Sequence, residues 1–167
     1  MELNGKIVLL SGATSGIGRA TAELFVRDGA TLILPVRKLV EGEKVRTELL
    51  ANVPNAHIEV HSCDLSSIQS IRNLIKEIQT RHDHIDILIN NAGVFPQERI
   101  VSLDGHELNF AVNYLAPVLL TRGLLSLLKR STAARIVNVS STMSKEGKIN
   151  FEDLESNQFG RYQAYAQ

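Results

Sequence analysis

Short apolar runs alternate along the chain with segments whose apolar residues recur at helical spacing. Four runs bounded by glycine, proline or polar residues predict strands buried on both faces, at residues 7–10, 32–34, 87–89 and 136–139. A fifth strand is predicted at residues 57–61, where apolar positions alternate around Ile58 and Val60. Parallel strands buried between helices show such continuous apolar runs.

Helical spacing is clearest in two segments. Ile17, Ala20, Leu24 and Phe25 predict the apolar face of one helix, and residues 68–78 repeat isoleucine and leucine with a period near 3.6. A capping box from Ser66 to Gln69 is expected to start the second helix. A weaker helix at residues 40–50, a long helix around Pro117 and the start of another after residue 159 complete the set.

This strand and helix order predicts a Rossmann-type α/β fold: a doubly wound parallel sheet in three α/β/α layers. The chain length of 167 residues fits a single domain covering residues 1–167. Such a sheet has six strands, and only five are found, so the fold is expected to be incomplete at its C-terminal side. The last strand in the chain, residues 136–139, would then lie at an edge.

A glycine loop follows the first strand and opens the first helix. Its glycines are Gly12, Gly16 and Gly18, and the residues between them include Thr14, Ser15 and Ile17. Free backbone N–H groups at a helix N-terminus, with the positive end of its dipole, favour a pyrophosphate. The spacing G-x-x-x-G-x-G differs from the stricter G-x-G-x-x-G fingerprint, so a purely conformational role for the glycines is the alternative.

The end of the second strand predicts which dinucleotide is preferred. An acid there favours the free ribose 2′-hydroxyl of NAD, and an arginine favours the 2′-phosphate of NADP. This chain has Arg37 followed by Lys38, and the next acidic residue is Glu41. NADP(H) is therefore expected and NAD is less favoured, with a solvated surface pair of basic residues as the alternative.

Composition excludes several other classes. Eighteen basic and eighteen acidic residues give no net charge and no charged block, which argues against a nucleic-acid partner. Cys63 is the only cysteine, so neither an intrachain disulfide nor a cysteine metal cluster is expected, and no metal site is predicted. A cytoplasmic, reducing location follows as the expectation, without a membrane span, because no run of about 18 apolar residues occurs.

Three motifs occur in order on this alternation: Thr14-Ser15-Gly16-Ile17-Gly18, Asn90-Asn91-Ala92-Gly93 and Val137-Asn138-Val139-Ser140-Ser141. Together they strongly resemble the short-chain dehydrogenase/reductase family over essentially the whole chain. The segment 148–157 and the run from Tyr162 to Gln167 are similar to the retinol-dehydrogenase and WW-domain-oxidoreductase branch. That branch interconverts lipophilic aldehydes or ketones with alcohols.

The resemblance implies a cofactor site and a catalytic set. Cofactor contacts are implied along the glycine loop, at Arg37, and near the adenine at Asp64 and Leu65. Further contacts near the ribose are implied at Asn90, Ala92 and Gly93. The catalytic serine is expected to be Ser141, with Ser140 as its competitor, and the catalytic tyrosine Tyr165 rather than Tyr162. Tyr165 would give a proton to the carbonyl oxygen while NADPH reduces the carbon.

Asn113 matches the family's catalytic asparagine, whose backbone carbonyl holds a water in a proton relay. It lies four residues before Pro117. Because a proline inside a helix cannot donate to the carbonyl four residues earlier, we expect Pro117 to free the carbonyl of Asn113 for water. A kink that serves only packing is the alternative.

The family motif Y-x-x-x-K would place a lysine at position 169, beyond Gln167. That lysine binds the nicotinamide ribose and helps the tyrosine to release its proton, so the catalytic set is expected to be incomplete and oxidation to suffer more than reduction. The leading hypothesis is an NADP(H)-dependent oxidoreductase acting on a small lipophilic carbonyl or alcohol. The alternative is a catalytically silent dinucleotide-binding or interaction protein. The resemblance leaves open whether it forms a homodimer or a homotetramer.

Overall fold

The computed structural model describes residues 3–167. Its strands are β1 (Ile7–Leu10), β2 (Thr31–Val36), β3 (Ile58–Ser62), β4 (Ile87–Asn90) and β5 (Arg135–Asn138). Its α-helices are α1 (Gly16–Arg27), α2 (Leu39–Asn52), α3 (Ile68–Arg81), α4 (Ala116–Leu128) and α5 (Arg161–Ala166). A π-helical segment, Phe110–Leu115, runs directly into α4, and a 3₁₀ turn, Thr142–Lys145, follows β5.

All five strands are parallel and lie in the order β3-β2-β1-β4-β5. Leu9 in the central strand pairs with Ile33 on one side and with Leu88 on the other. The strand order reverses between β1 and β4, so the loops after these two strands diverge and leave a crevice at the carboxyl edge of the sheet. The predicted Rossmann-type α/β fold is confirmed.

Alternate residues of the strands face two separate cores, which makes the three layers. Val8 and Leu10 face α1 and α2, whereas Leu9 between them faces α3 and α4. Burying both faces of a strand explains why its sequence is continuously apolar rather than alternating.

Two predicted patterns of burial are wrong. All four residues of β5 are exposed, although a strand buried on both faces was expected, because β5 pairs only with β4 and lies at the sheet edge. In α1 the buried residues are Gly18, Ala22 and Val26, whereas Ile17 is 70% exposed. Small side chains at Gly18 and Ala22 let this helix approach the sheet closely, and of the predicted face only Phe25 packs against the core, whereas Ile17 and Leu24 are exposed.

Helix α3 begins one residue later than its capping box predicts. Ser67 is the N-cap, and its hydroxyl accepts a hydrogen bond from Ser70 N. Ser66 instead lies in the turn formed by Asp64, whose carboxylate accepts from both its N–H and its hydroxyl. The local hydrogen bond to Asp64 therefore competes with the capping role of Ser66.

Asp86 joins three segments at the amino edge of the sheet. Its carboxylate accepts hydrogen bonds from Lys6 Nζ at 3.0 Å, Ile7 N at 3.0 Å and Ser131 Oγ at 2.7 Å. Burial alone would raise the pKa of Asp86, but these three donors and the charge of Lys6 outweigh it and lower the pKa below its usual range. The ionised carboxylate stabilises the fold.

The π-helical segment and α4 form one continuous apolar helix, Phe110–Leu128. Within residues 3–167 it is the one helix long and apolar enough, by length and composition alone, to cross a membrane. Leu120, Leu124 and Leu127 on this helix are buried in the core against β1, β4 and α3. A core helix of this kind meets the same criteria, so the absence of a membrane span stays a prediction.

Candidate functional site

The glycine loop lies at the carboxyl end of β1, beside the loop that follows β4. Gly12 has φ +72°, and a Cβ added to it would come within 2.8 Å of Ala92 Cα and of Asn91 Nδ2. A Cβ on Gly18 would overlap the carbonyl oxygen of Gly12. These two glycines are required because backbone and amide groups approach too closely for any side chain.

Two polar residues that the sequence analysis did not assign hold the two loops together. Ser11, which is buried, accepts hydrogen bonds at its hydroxyl from Asn91 N and Ala92 N, both at 3.0 Å. Asn91 Nδ2 donates to the carbonyl oxygens of Ser11 at 2.9 Å and Gly12 at 3.2 Å. The motif containing Asn91 was noticed, but a side chain bonding 80 residues away has no local sequence signal.

The N-terminus of α1 has the geometry that an anion requires. Ser15 is the N-cap with extended φ −156°, and its side chain makes no capping hydrogen bond. Gly16 has φ +53° with open space around its Cβ position within the described chain, and Ile17 is exposed. The N–H groups of the first turn are therefore not capped by the Ser15 side chain and meet the geometric requirement for holding a phosphate.

Basic side chains lie where β2 ends, at the same edge of the sheet. Val36 is buried, and the next two residues, Arg37 and Lys38, are exposed. Lys38 is the N-cap of α2, and its Nζ pairs with Glu41 at 3.0 Å. Arg37 makes no side-chain hydrogen bond or ion pair with residues 3–167, so its guanidinium is available to an anionic ligand.

The loop after β3 is folded by its own polar groups. Asp64 accepts hydrogen bonds at one carboxylate oxygen from Ser66 N and Ser66 Oγ, and Asp64 N donates to Ser70 Oγ. Leu65 packs against the core beside α3. Burial raises the pKa of the neighbouring Cys63 thiol to about 11, although Ser70 opposes the shift, so the thiol is neutral near pH 7.

The predicted ribose contacts after β4 separate into two groups. Asn90 is 4% exposed, and its Nδ2 donates to Asn138 Oδ1 at 2.8 Å and to Thr121 Oγ1 at 3.3 Å. Its side chain therefore lies inside the protein, between β5 and α4. Ala92 and Gly93 follow it at the crevice, where Gly93 is exposed.

Asn113 lies in the π-helical segment and fixes the same loop. Its Oδ1 accepts from Val94 N at 2.8 Å, and its Nδ2 donates to Val94 O at 2.9 Å. Pro117 occupies the first turn of α4, directly after this wider segment, whose end is marked by a bond from Ala116 N to Ala111 O. The irregular backbone is where Pro117 was expected to act, and the freed Asn113 carbonyl stays a prediction.

Ser141 and Tyr165 lie on elements that contact each other. Ser141 is the N-cap of the 3₁₀ turn, where its Oγ accepts from Met143 N at 3.2 Å. Tyr165 lies on α5 and packs on Phe95, with ring centroids 4.6 Å apart. Within residues 3–167 the Tyr165 hydroxyl has no hydrogen-bond partner, so neither hydroxyl is bonded to the other.

A groove of about 790 Å³ lies between the 3₁₀ turn and α5. Its lining includes Met143, Gly147, Asn157 and Gln163, and none of the predicted site residues. The predicted site is instead an open surface along the carboxyl edge of the sheet. It extends from Arg37 and the glycine loop to the loop after β4 and on to Tyr165.

The parallel sheet, the reversal of strand order and the uncapped glycine-loop helix define a Rossmann-type α/β protein with a phosphate-binding geometry. The sequence profile of the short chain dehydrogenase family matches residues 6–153. The chain therefore belongs to the short-chain dehydrogenase family.

Curated relatives are similar along nearly all of this chain. Retinol dehydrogenase 14 of Mus musculus is 42% identical over 166 residues, covering 93% of this chain and 50% of its own length. Retinol dehydrogenase 12 of Bos taurus is 39% identical over 159 residues, covering 95% of this chain and 50% of its own length. The chain thus spans about half the length of these relatives, and the predicted likeness to retinol dehydrogenases is confirmed.

Solved structures are also similar to nearly all of this chain. A crystal structure of an uncharacterized protein from Mycobacterium paratuberculosis has a TM-score of 0.85 and 33% identity, covering 99% of this chain and 58% of its own. The Pseudomonas aeruginosa RhlG/NADP active-site complex has a TM-score of 0.78 and 26% identity, covering 99% of this chain and 62% of its own. Both likenesses extend over the whole described fold.

Proposed function

We propose that this chain is the dinucleotide-binding and proton-donating part of an NADP(H)-dependent oxidoreductase that interconverts a carbonyl group and an alcohol. The observation that supports this best is the connection between Gly12 and the loop after β4, made by Ser11 and Asn91. One rigid unit thereby joins a phosphate-binding helix terminus to the loop that Tyr165 approaches. Family membership and the retinol dehydrogenase relatives agree with this chemistry.

The residues present fit a dinucleotide. The N–H groups at the start of α1 would hold the pyrophosphate, and the absence of a side chain at Gly16, whose Cβ position is open, would let it approach the backbone. Arg37 has no acidic partner among the described residues and would bind a 2′-phosphate through its guanidinium fork. Lys38 would add charge nearby, weakened by its ion pair with Glu41. The NADP complex of RhlG supports binding of a nicotinamide dinucleotide by this fold.

The chemistry assigned to this chain is proton transfer and orientation. Bound NADPH would supply the hydride to the carbonyl carbon. Tyr165 would donate its phenolic proton to the carbonyl oxygen, and Ser141 would hydrogen-bond that oxygen as negative charge develops. Asn113 would keep the loop after β4 in place through its two bonds to Val94.

The test is NADPH oxidation at 340 nm with a panel of lipophilic aldehydes and ketones. We expect turnover that Tyr165→Phe lowers by about 100-fold, the lower end of the effect of a general acid. Tyr162→Phe, on the same helix but 58% exposed, is the matched control and is expected to leave the rate within about two-fold. NADPH binding without turnover of any substrate would instead support the silent dinucleotide-binding function.

We also propose that residues 1–167 act as one nucleotide-binding domain in the cytoplasm, as a homodimer or homotetramer and without a membrane span. The buried, neutral Cys63 is consistent with a reducing compartment. Light scattering of the purified chain would determine the oligomeric state, and fractionation of cells into soluble and membrane pools would determine the location.

A further inference from the structure

Helix α5 is attached to the loop after β4 by Arg161. Its Nε donates to Pro96 O at 3.1 Å, and its Nη2 donates to Phe95 O at 3.4 Å. The guanidinium carbon also lies 3.8 Å from the centroid of the Phe95 ring. Two hydrogen bonds and a cation–π contact thus come from one side chain on the first turn of the helix.

The same Phe95 ring contacts Tyr165 directly. The two ring centroids are 4.6 Å apart at an interplanar angle of 48°. Arg161 and Tyr165 are four residues apart, so they lie on one face of α5, and both reach Phe95 from that face. Tyr162 meets the ring edge-on at 5.5 Å.

Phe95 is itself on a restrained loop. The preceding residue, Val94, is bonded through both its N–H and its carbonyl to Asn113, and Asn91 is bonded to the glycine loop. The Phe95 ring therefore has a defined position relative to Gly12. The side chains that pack on the Phe95 ring, Tyr165 and Arg161, are therefore also held at a defined distance from the glycine loop.

Arg161 has no acidic partner among residues 3–167, whereas several other arginines of the chain pair with glutamate. Its charge is satisfied by carbonyl oxygens and an aromatic face instead. Such a site is specific for the planar guanidinium, because an ammonium group cannot bond two carbonyls in this fork while stacking on the ring.

We propose that Arg161 and Phe95 are positioning residues that set the place of Tyr165 relative to the glycine loop. That the position of Tyr165 matters for catalysis rests on the proposed function, in which Tyr165 gives a proton to the substrate. Neither Arg161 nor Phe95 touches the reacting atoms, so they act only through Tyr165.

The test uses the full chain labelled with 3-fluorotyrosine at its three tyrosines. Tyr165→Phe and Tyr162→Phe identify their ¹⁹F resonances by loss, and Tyr114 on the π-helical segment is the internal reference. We expect Arg161→Met and Phe95→Leu each to shift or broaden the Tyr165 resonance while that of Tyr114 stays in place. Arg122→Met on the exposed face of α4 is the matched control.

Binding of NADPH is measured on the same variants by calorimetry. We expect its Kd to stay within about two-fold of wild type, because neither side chain touches the glycine loop. Arg161→Lys should behave as Arg161→Met does, since an ammonium group does not replace the fork. An unchanged Tyr165 resonance in Phe95→Leu or in Arg161→Met would overturn the proposal, as would an equal change in Arg122→Met.

The ¹⁹F result does not depend on turnover. If wild-type chain fails to bind NADPH, the proposed function is wrong, yet the resonances still decide whether Arg161 and Phe95 fix Tyr165. If NADPH binds and carbonyls are reduced, the same two variants should lower kcat by about tenfold with the Kd for NADPH unchanged. A purely structural role would not separate kcat from binding in this way.

Discussion

Replacing Gly12 by alanine tests the close approach between the glycine loop and the loop after β4. The new Cβ would lie 2.8 Å from both Ala92 Cα and Asn91 Nδ2, about 0.6 Å short of the 3.4 Å at which ordinary contact begins. The backbone at Gly12, with φ +72°, is also one that alanine adopts only with strain. Two separate costs are therefore expected from one methyl group.

Their size follows from the geometry. A left-handed alanine costs about 1–2 kcal/mol, and overpacking against atoms that cannot turn away costs a further ~1–3 kcal/mol. Gly105→Ala separates the two, because Gly105 has φ +86° but nothing in the described chain within 4 Å of its Cβ position. We expect Gly12→Ala to lose about 2 kcal/mol more of the free energy of unfolding than Gly105→Ala does.

Urea unfolding at 25 °C gives both free energies, and calorimetry with NADPH gives the binding constants. Because the Gly12 loop must move by about half an ångström, we expect NADPH binding to weaken by about tenfold or more, equivalent to about 1.4 kcal/mol. Gly105→Ala should bind as wild type does. Equal stability losses in the two variants, together with unchanged NADPH affinity in Gly12→Ala, would refute the packing argument.

Three further predictions concern charge and reactivity. Arg37→Asp should reverse the preference between NADPH and NADH, because the guanidinium proposed to bind the 2′-phosphate would be replaced by an acceptor for the 2′-hydroxyl. Competitive binding of the two dinucleotides measures this preference. Asp86→Asn should lower stability by about 2 kcal/mol at pH 7, since donors that now meet a carboxylate would meet a neutral amide. Because the pKa of Asp86 is lowered in the folded state, the extra stability of wild type over Asp86→Asn is present above about pH 4. It is lost as the pH falls through the pKa of Asp86 in the folded protein. Urea unfolding from pH 7 to pH 3 measures this loss of stability. Cys63, with a pKa of about 11, should react with a thiol reagent at pH 8 about 100-fold more slowly in the folded than in the unfolded protein.

The first two of these have a control variant in the chain, and the third has a result that would contradict it. Lys38→Asp alters the neighbouring charge, which is already paired with Glu41, and should change the dinucleotide preference less than Arg37→Asp does. Asp83→Asn is compared with Asp86→Asn, and a pH-independent difference between wild type and Asp86→Asn would contradict the assignment. Rapid labelling of folded protein at its single cysteine would contradict the burial of Cys63.

The sequence alone located the five β-strands and the five α-helices, but neither the 3₁₀ turn at 142–145 nor the π-helical form of 110–115. Parallel strands buried between helices must be apolar on both faces, and that requirement appears directly as runs such as residues 7–10 and 87–89. Strand β5 departs from the rule because it lies at the edge of the sheet, as the missing sixth strand predicted, yet its apolar run was still read as buried on both faces. Ser66 and Ser67 show the same limit on a smaller scale, since Asp64 decides which of them caps α3.

For the candidate site, the sequence identified backbone positions better than side-chain contacts. The glycines at 12, 16 and 18 are recognisable because no other residue suits their backbone geometry or packing. The bonds of Asn91 to the glycine loop and of Arg161 to Pro96 join segments about 65 to 80 residues apart. Such pairs depend on the folded topology, and nothing in the local pattern around Arg161 distinguishes it from a surface arginine.

The central claim is that the carboxyl edge of this sheet binds NADP(H), and calorimetric titration of NADPH into the wild-type chain tests it most directly. We predict saturable binding with one site per chain, at least about tenfold tighter than NADH and about tenfold weaker in Gly12→Ala. Absence of binding to the folded wild-type chain, or equal affinity for NADPH in wild type and Gly12→Ala, would contradict the claim.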